Sequence, residues 1–374
     1  MKKIGWITGK KKLLRLAGLS LMGVLLLSGC GNTGKSAVAA TSSTSASETS
    51  NEAGKGSKVS QPAENVDAQV AEASLPQPGE AISASLTWKS RMELAYATQF
   101  AVDTYEDADG MQYEAVSVAD GSRFLLIPEG GKVPEDLPDS IQVLKRPVKQ
   151  IYLVATATMD MFRMLGALPD IRFSGTDASG WYIPEAKEAM ENGSILYAGK
   201  YSEPDYETLV DGDCDLAIES TMILHTPKVQ EMIEDLGIPV FVDYSSYESH
   251  PLGRTEWIKL YGALLNKEEE ADTFFDQQAH VIEELKGFEN TEKTVAYFYV
   301  STDGSIVVRK SDDYIPSMIE IAGGRYAFKD LKNPDSNAPS VKLTMEEFYA
   351  TAVDADYLIY NGTIDGQINS ISEL

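Results

Sequence analysis

Cysteine is nearly missing from this chain: there are two in 374 residues, Cys30 and Cys214. A disulfide framework is thereby excluded, whatever the compartment. Histidine is scarce as well, limited to His225, His250 and His280, which leaves little for a nitrogen-rich metal centre or for proton transfer. No H-E-x-x-H or G-x-S-x-G stretch occurs, so two common hydrolase signatures are missing. Basic charge is short: 32 Lys and Arg face 57 Asp and Glu, for a net charge of −25. That balance argues against nucleic acid or an anionic membrane surface as a partner.

What is present begins at the N-terminus. Lys2, Lys3, Lys10, Lys11, Lys12 and Arg15 precede an apolar run closing with Leu25-Leu26-Leu27. The run is short for a membrane span, and Leu27-Ser28-Gly29-Cys30 follows where a peptidase would cut. Residues 1–29 therefore read as a lipoprotein signal peptide and Cys30 as the lipidated residue. The protein would be extracytoplasmic, held at a bacterial cell membrane by its lipid only. Gly29 to Ser36 also fits the phosphate-loop pattern G-x-x-x-x-G-K-[ST], but an Ala/Ser/Thr-rich segment follows instead of the required helix. Residues 30–85 read as a flexible tether with few large apolar side chains. A coil of about 54 residues spans on the order of 40 Å.

The folded part is expected from Leu86. Its opening reads as β: Phe100-Ala101-Val102, then Tyr113 to Val118, then an Asp120-Gly121 hairpin signal before Arg123–Ile127. From Gln150 strands alternate with helices. Strand signals lie at Ile151–Ala155, Ile171–Phe173, Ile195–Tyr197, Leu216–Ile218 and Val240–Val242. Helices are expected at Pro184–Glu191, Tyr206–Val210 and Lys228–Leu236, and one with a core face of Met161, Met164, Leu165 and Leu168. Two amphipathic helices interrupt the pattern. Alternation then resumes with strands at Val295–Val300, Tyr326–Phe328 and Tyr357–Tyr360 and helices at Ile315–Ile321 and Met345–Ala352. The fold class expected is α/β, with two lobes of mainly parallel sheet, a joining helix and a β-rich extension opening the first lobe. The boundaries are 86–258 for the first lobe, 259–288 for connecting helices and 289–374 for an incomplete second lobe.

In open α/β sheets ligands bind beyond the carboxyl ends of the strands. That rule selects Trp181 and Tyr182, Tyr201, Met222 and His225, and Tyr244, Tyr247, His250 and Arg254 in the first lobe. Tyr299, Arg309 and Tyr314 are their counterparts in the second. Aromatic side chains offer flat apolar area with a polar tip, and arginine pairs bidentately with carboxylates. The set suits a large anionic chelate or a tetrapyrrole. A rival reading has His225 and His250 capture a bare metal ion with Glu219, Asp243 or Glu248, and another makes the chain a cell-surface hydrolase. Asp211-Gly212-Asp213-Cys214-Asp215 suggests a calcium loop, but Leu216 stands where glycine is needed. Cys214 reads as a small buried residue and His280 as a solvated one.

Five stretches, taken in order, resemble the substrate-binding lipoproteins of ABC importers for iron-siderophores, haem and cobalamin. They are Lys145–Leu153, Gly199–Glu207, Leu236–Val242, Leu264–Ala271 and Met318–Gly324. The resemblance runs from about Lys145 to the end. It implies two lobes on a rigid helix, here Lys267–Lys286, with a small-molecule chelate between them. It also implies no catalytic residue, no resident cofactor or metal, a monomer, and delivery to permease subunits. One glutamate per lobe, Glu207 and Glu346, would dock on the permease. That family continues well past the position of Leu374, which is why the second lobe is expected to be incomplete.

Overall fold

The computed structural model describes residues 75–301, 303–331 and 340–362. The leader, Cys30 and most of the tether lie outside the described residues, as does the end of the second lobe. No helix among the described residues is long and apolar enough to cross a membrane.

The β-rich opening is a five-stranded sheet in sequence order: β1 (Thr87–Arg91), β2 (Phe100–Glu106), β3 (Gln112–Val118), β4 (Arg123–Ile127) and β5 (Ile141–Lys145). β1 to β4 run antiparallel, and β5 lies parallel to β4. Side-chain alternation gives the sheet two faces. Phe100, Val102, Val116, Phe124 and Leu126 join the first-lobe core. Tyr105, Tyr113, Leu125 and Ile127 form a smaller layer with Ile82 and Leu86. Ile82 is 3% exposed, and the Tyr105 hydroxyl donates to the Glu80 carbonyl at 2.6 Å. Packing thus starts upstream of the residue-85 limit set for the tether, on too few apolar residues to show in the sequence.

The first lobe follows as β6 (Ile151–Leu153), α1 (Thr158–Met164), β7 (Ile171–Ser174), α2 (Pro184–Glu191), β8 (Leu196–Tyr197), β9 (Gly199–Lys200), β10 (Glu203–Pro204), α3 (Tyr206–Asp211), β11 (Leu216–Ser220), α4 (Pro227–Asp235) and β12 (Val240–Asp243). Five of these strands make a parallel sheet in the order β12-β11-β6-β7-β8. Its strands are short apolar runs, as burial on both faces requires. One helix phase departs from expectation. α1 buries Met159 and Phe162, while Met164 is 38% exposed. A helix of seven residues settles on whichever stripe its neighbours need, here Met159, Phe162 and the following Leu165.

α5 (Pro251–Leu265) and α6 (Glu268–Leu285) are packed together across a left-handed Asn266. α5 buries Trp257, Ile258, Leu260, Tyr261 and Leu264 in the first-lobe core. The 258/259 boundary drawn from the sequence therefore cuts a continuous helix that belongs to that core.

The second lobe comprises β13 (Lys293–Val300), β14 (Ile306–Arg309), α7 (Tyr314–Ile321), β15 (Gly324–Tyr326), β16 (Ser340–Leu343), α8 (Met345–Ala352) and β17 (Tyr357–Tyr360). β13 runs parallel to β15 and β17 but antiparallel to β14, which pairs antiparallel with β16. This sheet is mixed rather than mainly parallel. The cause is local: Gly304, at φ +81°, turns the chain back, and the Asp303 carboxylate accepts from the Ser305 N–H at 2.9 Å. Its separate core centres on Phe298, Phe328 and Phe348.

Candidate ligand-binding site

The loops beyond the first-lobe strands hold their candidate residues unequally. After β7, Asp177 caps a single turn, accepting from the Ser179 and Gly180 N–H groups at 2.8 and 3.1 Å. Chiefly through its bond from the Ser179 hydroxyl, that carboxyl lies below its usual range. The turn drives Trp181 inward to 8% exposure, where its indole N–H is shared between the Ser174 hydroxyl and the Thr176 carbonyl, both at 3.2 Å. Tyr182 points the other way and is 98% exposed. Trp181 is therefore wall, and Tyr182 is the free surface beside it.

Tyr201 sits on the tight β9–β10 hairpin and packs half-buried against the first core. Only glycine fits at Gly199, since a Cβ there would stand 2.2 Å from the Glu203 carbonyl oxygen. Beyond β11, Met222 and His225 occupy a turn opened by Ser220, both half-buried. Beyond β12, Tyr244 is buried, with its ring centre 5.5 Å from that of the exposed Tyr247 and the two rings tilted by 57°. Burial, then the Asp120 carboxylate, pushes the Tyr244 phenol far up, so it stays protonated. Asp120 comes from the β3–β4 hairpin, so the extension reaches the rim of this loop.

His250 caps α5, its Nδ1 accepting from the Leu252 N–H at 3.1 Å. With Nδ1 occupied as an acceptor, the neutral ring carries its proton on Nε2. Burial, and then the nearby Lys286 charge, hold it below the ordinary histidine range. Its ring stacks on Tyr96 at 4.4 Å. The carboxylates invoked for bare-metal capture are engaged or enclosed. Glu248 accepts from the Thr98 and Gln99 N–H groups and the Trp257 indole. Asp243 accepts from Thr158 and Tyr261, and Glu219 is fully buried. Among the described residues, no three His, Cys, Asp or Glu side chains form a metal-sized group. Cys214 is half-buried, its thiol pushed up to about 12 by burial, and His280 is a surface residue.

The lobes meet at Arg254. Its Nε donates to the Glu248 carbonyl at 3.2 Å and its Nη2 to the Ser246 carbonyl. Its guanidinium carbon lies 3.5 Å from the centre of the Tyr314 ring, at the start of α7. Three of the five N–H donors remain. Arg309, at the end of β14, has its Nη1 3.8 Å from the Asp313 carboxylate, and its buried Nε has no partner. Asp313 caps α7 through the Ile315 N–H at 3.0 Å. Burial raises its pKa against the opposing pull of Arg309 and Arg254, and burial lowers that of Arg254. One carboxylate thus faces two guanidinium groups, Arg309 at 3.8 Å and Arg254 farther off, leaving positive charge at the seam of an acidic protein. On β13, half-buried Tyr297 faces Arg309, Tyr314 and Asp313, and half-buried Tyr299 lies next to Tyr297.

Glu207 and Glu346 both occupy the second position of their helices. Asp205 caps α3, and Thr344 caps α8 in a reciprocal box with Glu347. Both glutamates are exposed. A surface pocket of about 390 Å³ lies beside Glu207, lined by Asp205, Thr208, Asp211 and Arg172 among others. It sits against α3 rather than among the strand-end loops. Sequence reasoning passed over Tyr96, Asp120 and Asp313. The last was legible as a helix cap, whereas the first two depend on long-range packing.

The periplasmic binding protein family matches residues 153–368, more than half of the chain, and the chain belongs to that family. Its relatives include two lipoproteins of Methanocaldococcus jannaschii. One is 26% identical over 302 residues, covering 75% of this chain and 70% of its own length. The other is 24% identical, covering 66% of this chain and 63% of its own length, so this chain spans less than two thirds of it. Among solved structures, the petrobactin-binding protein YclQ of Bacillus subtilis is 18% identical, with a TM-score of 0.46 over 57% of this chain and 72% of that one. The periplasmic haem-binding protein HutB of Vibrio cholerae is 18% identical, with a TM-score of 0.44 over 57% of this chain and 76% of that one.

Proposed function

We propose that the chain is the extracytoplasmic receptor of an ABC importer. It takes an iron-siderophore or related anionic chelate between its lobes and hands it to permease subunits. It acts as a monomer anchored through lipid on Cys30, and it catalyses no reaction. The observation that carries this reading is the seam, where Arg254 from one lobe keeps unused N–H donors and Arg309 from the other has a buried Nε without a partner. A multivalent oxyanion satisfies such donors with charge-assisted hydrogen bonds. Tyr182, Tyr201, Tyr247 and Tyr299, with Met222 and His225, supply flanking contact area. His250, as a neutral Nε2–H donor, suits a ligand oxygen and not a bare cation. Glu207 and Glu346, matched in position on the two lobes, are the contacts to the permease.

The test is a tryptophan-fluorescence titration of the full chain with ferric citrate, ferric tris-catecholates, haem, cobalamins, Zn²⁺ and Mn²⁺. Saturation by an anionic ferric chelate is expected. Saturation by bare metal alone would overturn the reading.

A further inference from the structure

The Arg254–Tyr314 contact joins the two lobes, and it uses the face of the guanidinium. The edges remain for hydrogen bonds: Nε and one Nη2 proton hold the Glu248 and Ser246 carbonyls, and the rest are open. A planar cation can serve a ring on its face and an oxyanion on its edge at once. We propose that Tyr314 is a positioning residue rather than a ligand contact: it stacks across the seam on Arg254, fixing the plane of the guanidinium and tying capture of an oxyanion to docking of the second lobe. The ligand side of this inference rests on the receptor reading above.

Three further features support it. Tyr314 is the first residue of α7, held in place by the Asp313 cap. α7 packs directly on α5. Burial of the seam strengthens a cation–ring contact relative to one in water. The groups that face Arg254 are Tyr314, Asp313, Arg309 and Glu248, of which Tyr314 alone offers an aromatic face.

The test compares Tyr314→Phe, which keeps the ring, with Tyr314→Leu, which removes it. The side-chain Nε–H resonance of Arg254 in arginine-labelled full-length protein reports the ring overhead, and Arg254→Lys assigns it. The ring-shifted signal is expected in the wild type and in Tyr314→Phe, and its loss in Tyr314→Leu. With ferric citrate as the probe, Tyr314→Phe is expected to bind within twofold of wild type and Tyr314→Leu about tenfold more weakly. An unshifted wild-type resonance would overturn the proposal. So would a loss of affinity in Tyr314→Phe equal to that in Tyr314→Leu, since the hydroxyl would then be the working group. If the wild type takes up no ferric citrate, the receptor reading fails for that ligand, while the resonance series still decides the stack.

Discussion

Glu219 lies on β11 with both carboxylate oxygens buried and no hydrogen-bond partner for either. Burial raises its pKa from 4.5 to about 8. The folded protein therefore keeps a proton that the unfolded chain releases near pH 4.5. The stability tied to this proton is complete below that value and is lost progressively as pH rises to about 8. Glu219→Gln removes the titration. It should lie within about 1 kcal/mol of the wild type at pH 5 and exceed it by about 4 kcal/mol at pH 8.5, measured by urea unfolding. Parallel profiles for the two proteins would show that Glu219 titrates normally. The sequence named Glu219 only as a candidate metal ligand. Its enclosure depends on what packs over the strand, which no local pattern reveals.

At the scale of elements, the segment from Ala95 to Gln99 is bound to the first lobe by two buried glutamates. Glu256 on α5 accepts the Ala95, Tyr96 and Ala97 N–H groups, each at 2.8 Å. Glu248 takes those of Thr98 and Gln99. Glu256→Ala strands these donors and should cost about 3 kcal/mol in urea unfolding, with Tyr96 released from His250. α2 and α4 were read to within a residue because proline opens each one and fixes its first turn. β14 (Ile306–Arg309) was missed, and its antiparallel pairing with β13 rests on the turn at Gly304. The hairpin at Asp120-Gly121 was legible, but its reach to Tyr244 was not, because such contacts join residues far apart in the chain.

Across the whole molecule, the alternation of strand and helix made both lobes visible, and the strand-end rule selected Arg254, Arg309 and Tyr314, which the fold brings near one another. The rule could not rank them. It gave Trp181 the same standing as Tyr182, although the indole is fixed in the wall. The matched helix positions of Glu207 and Glu346 carry a prediction at this scale. Glu207→Ala with Glu346→Ala should leave chelate affinity within twofold and reduce uptake in cells carrying the permease by at least about tenfold. Unchanged uptake would remove these residues from the docking surface.

The central claim is that one ligand is held by both lobes together. It is tested most directly by a double-mutant cycle on ferric-chelate affinity with Arg254→Ala and Arg309→Ala, using equilibrium titration of the full chain. Each change should weaken binding by about 10- to 100-fold, and the pair by clearly less than the product, because both grip the same anion. A loss confined to one of the two arginines would place the ligand on a single lobe and contradict the account.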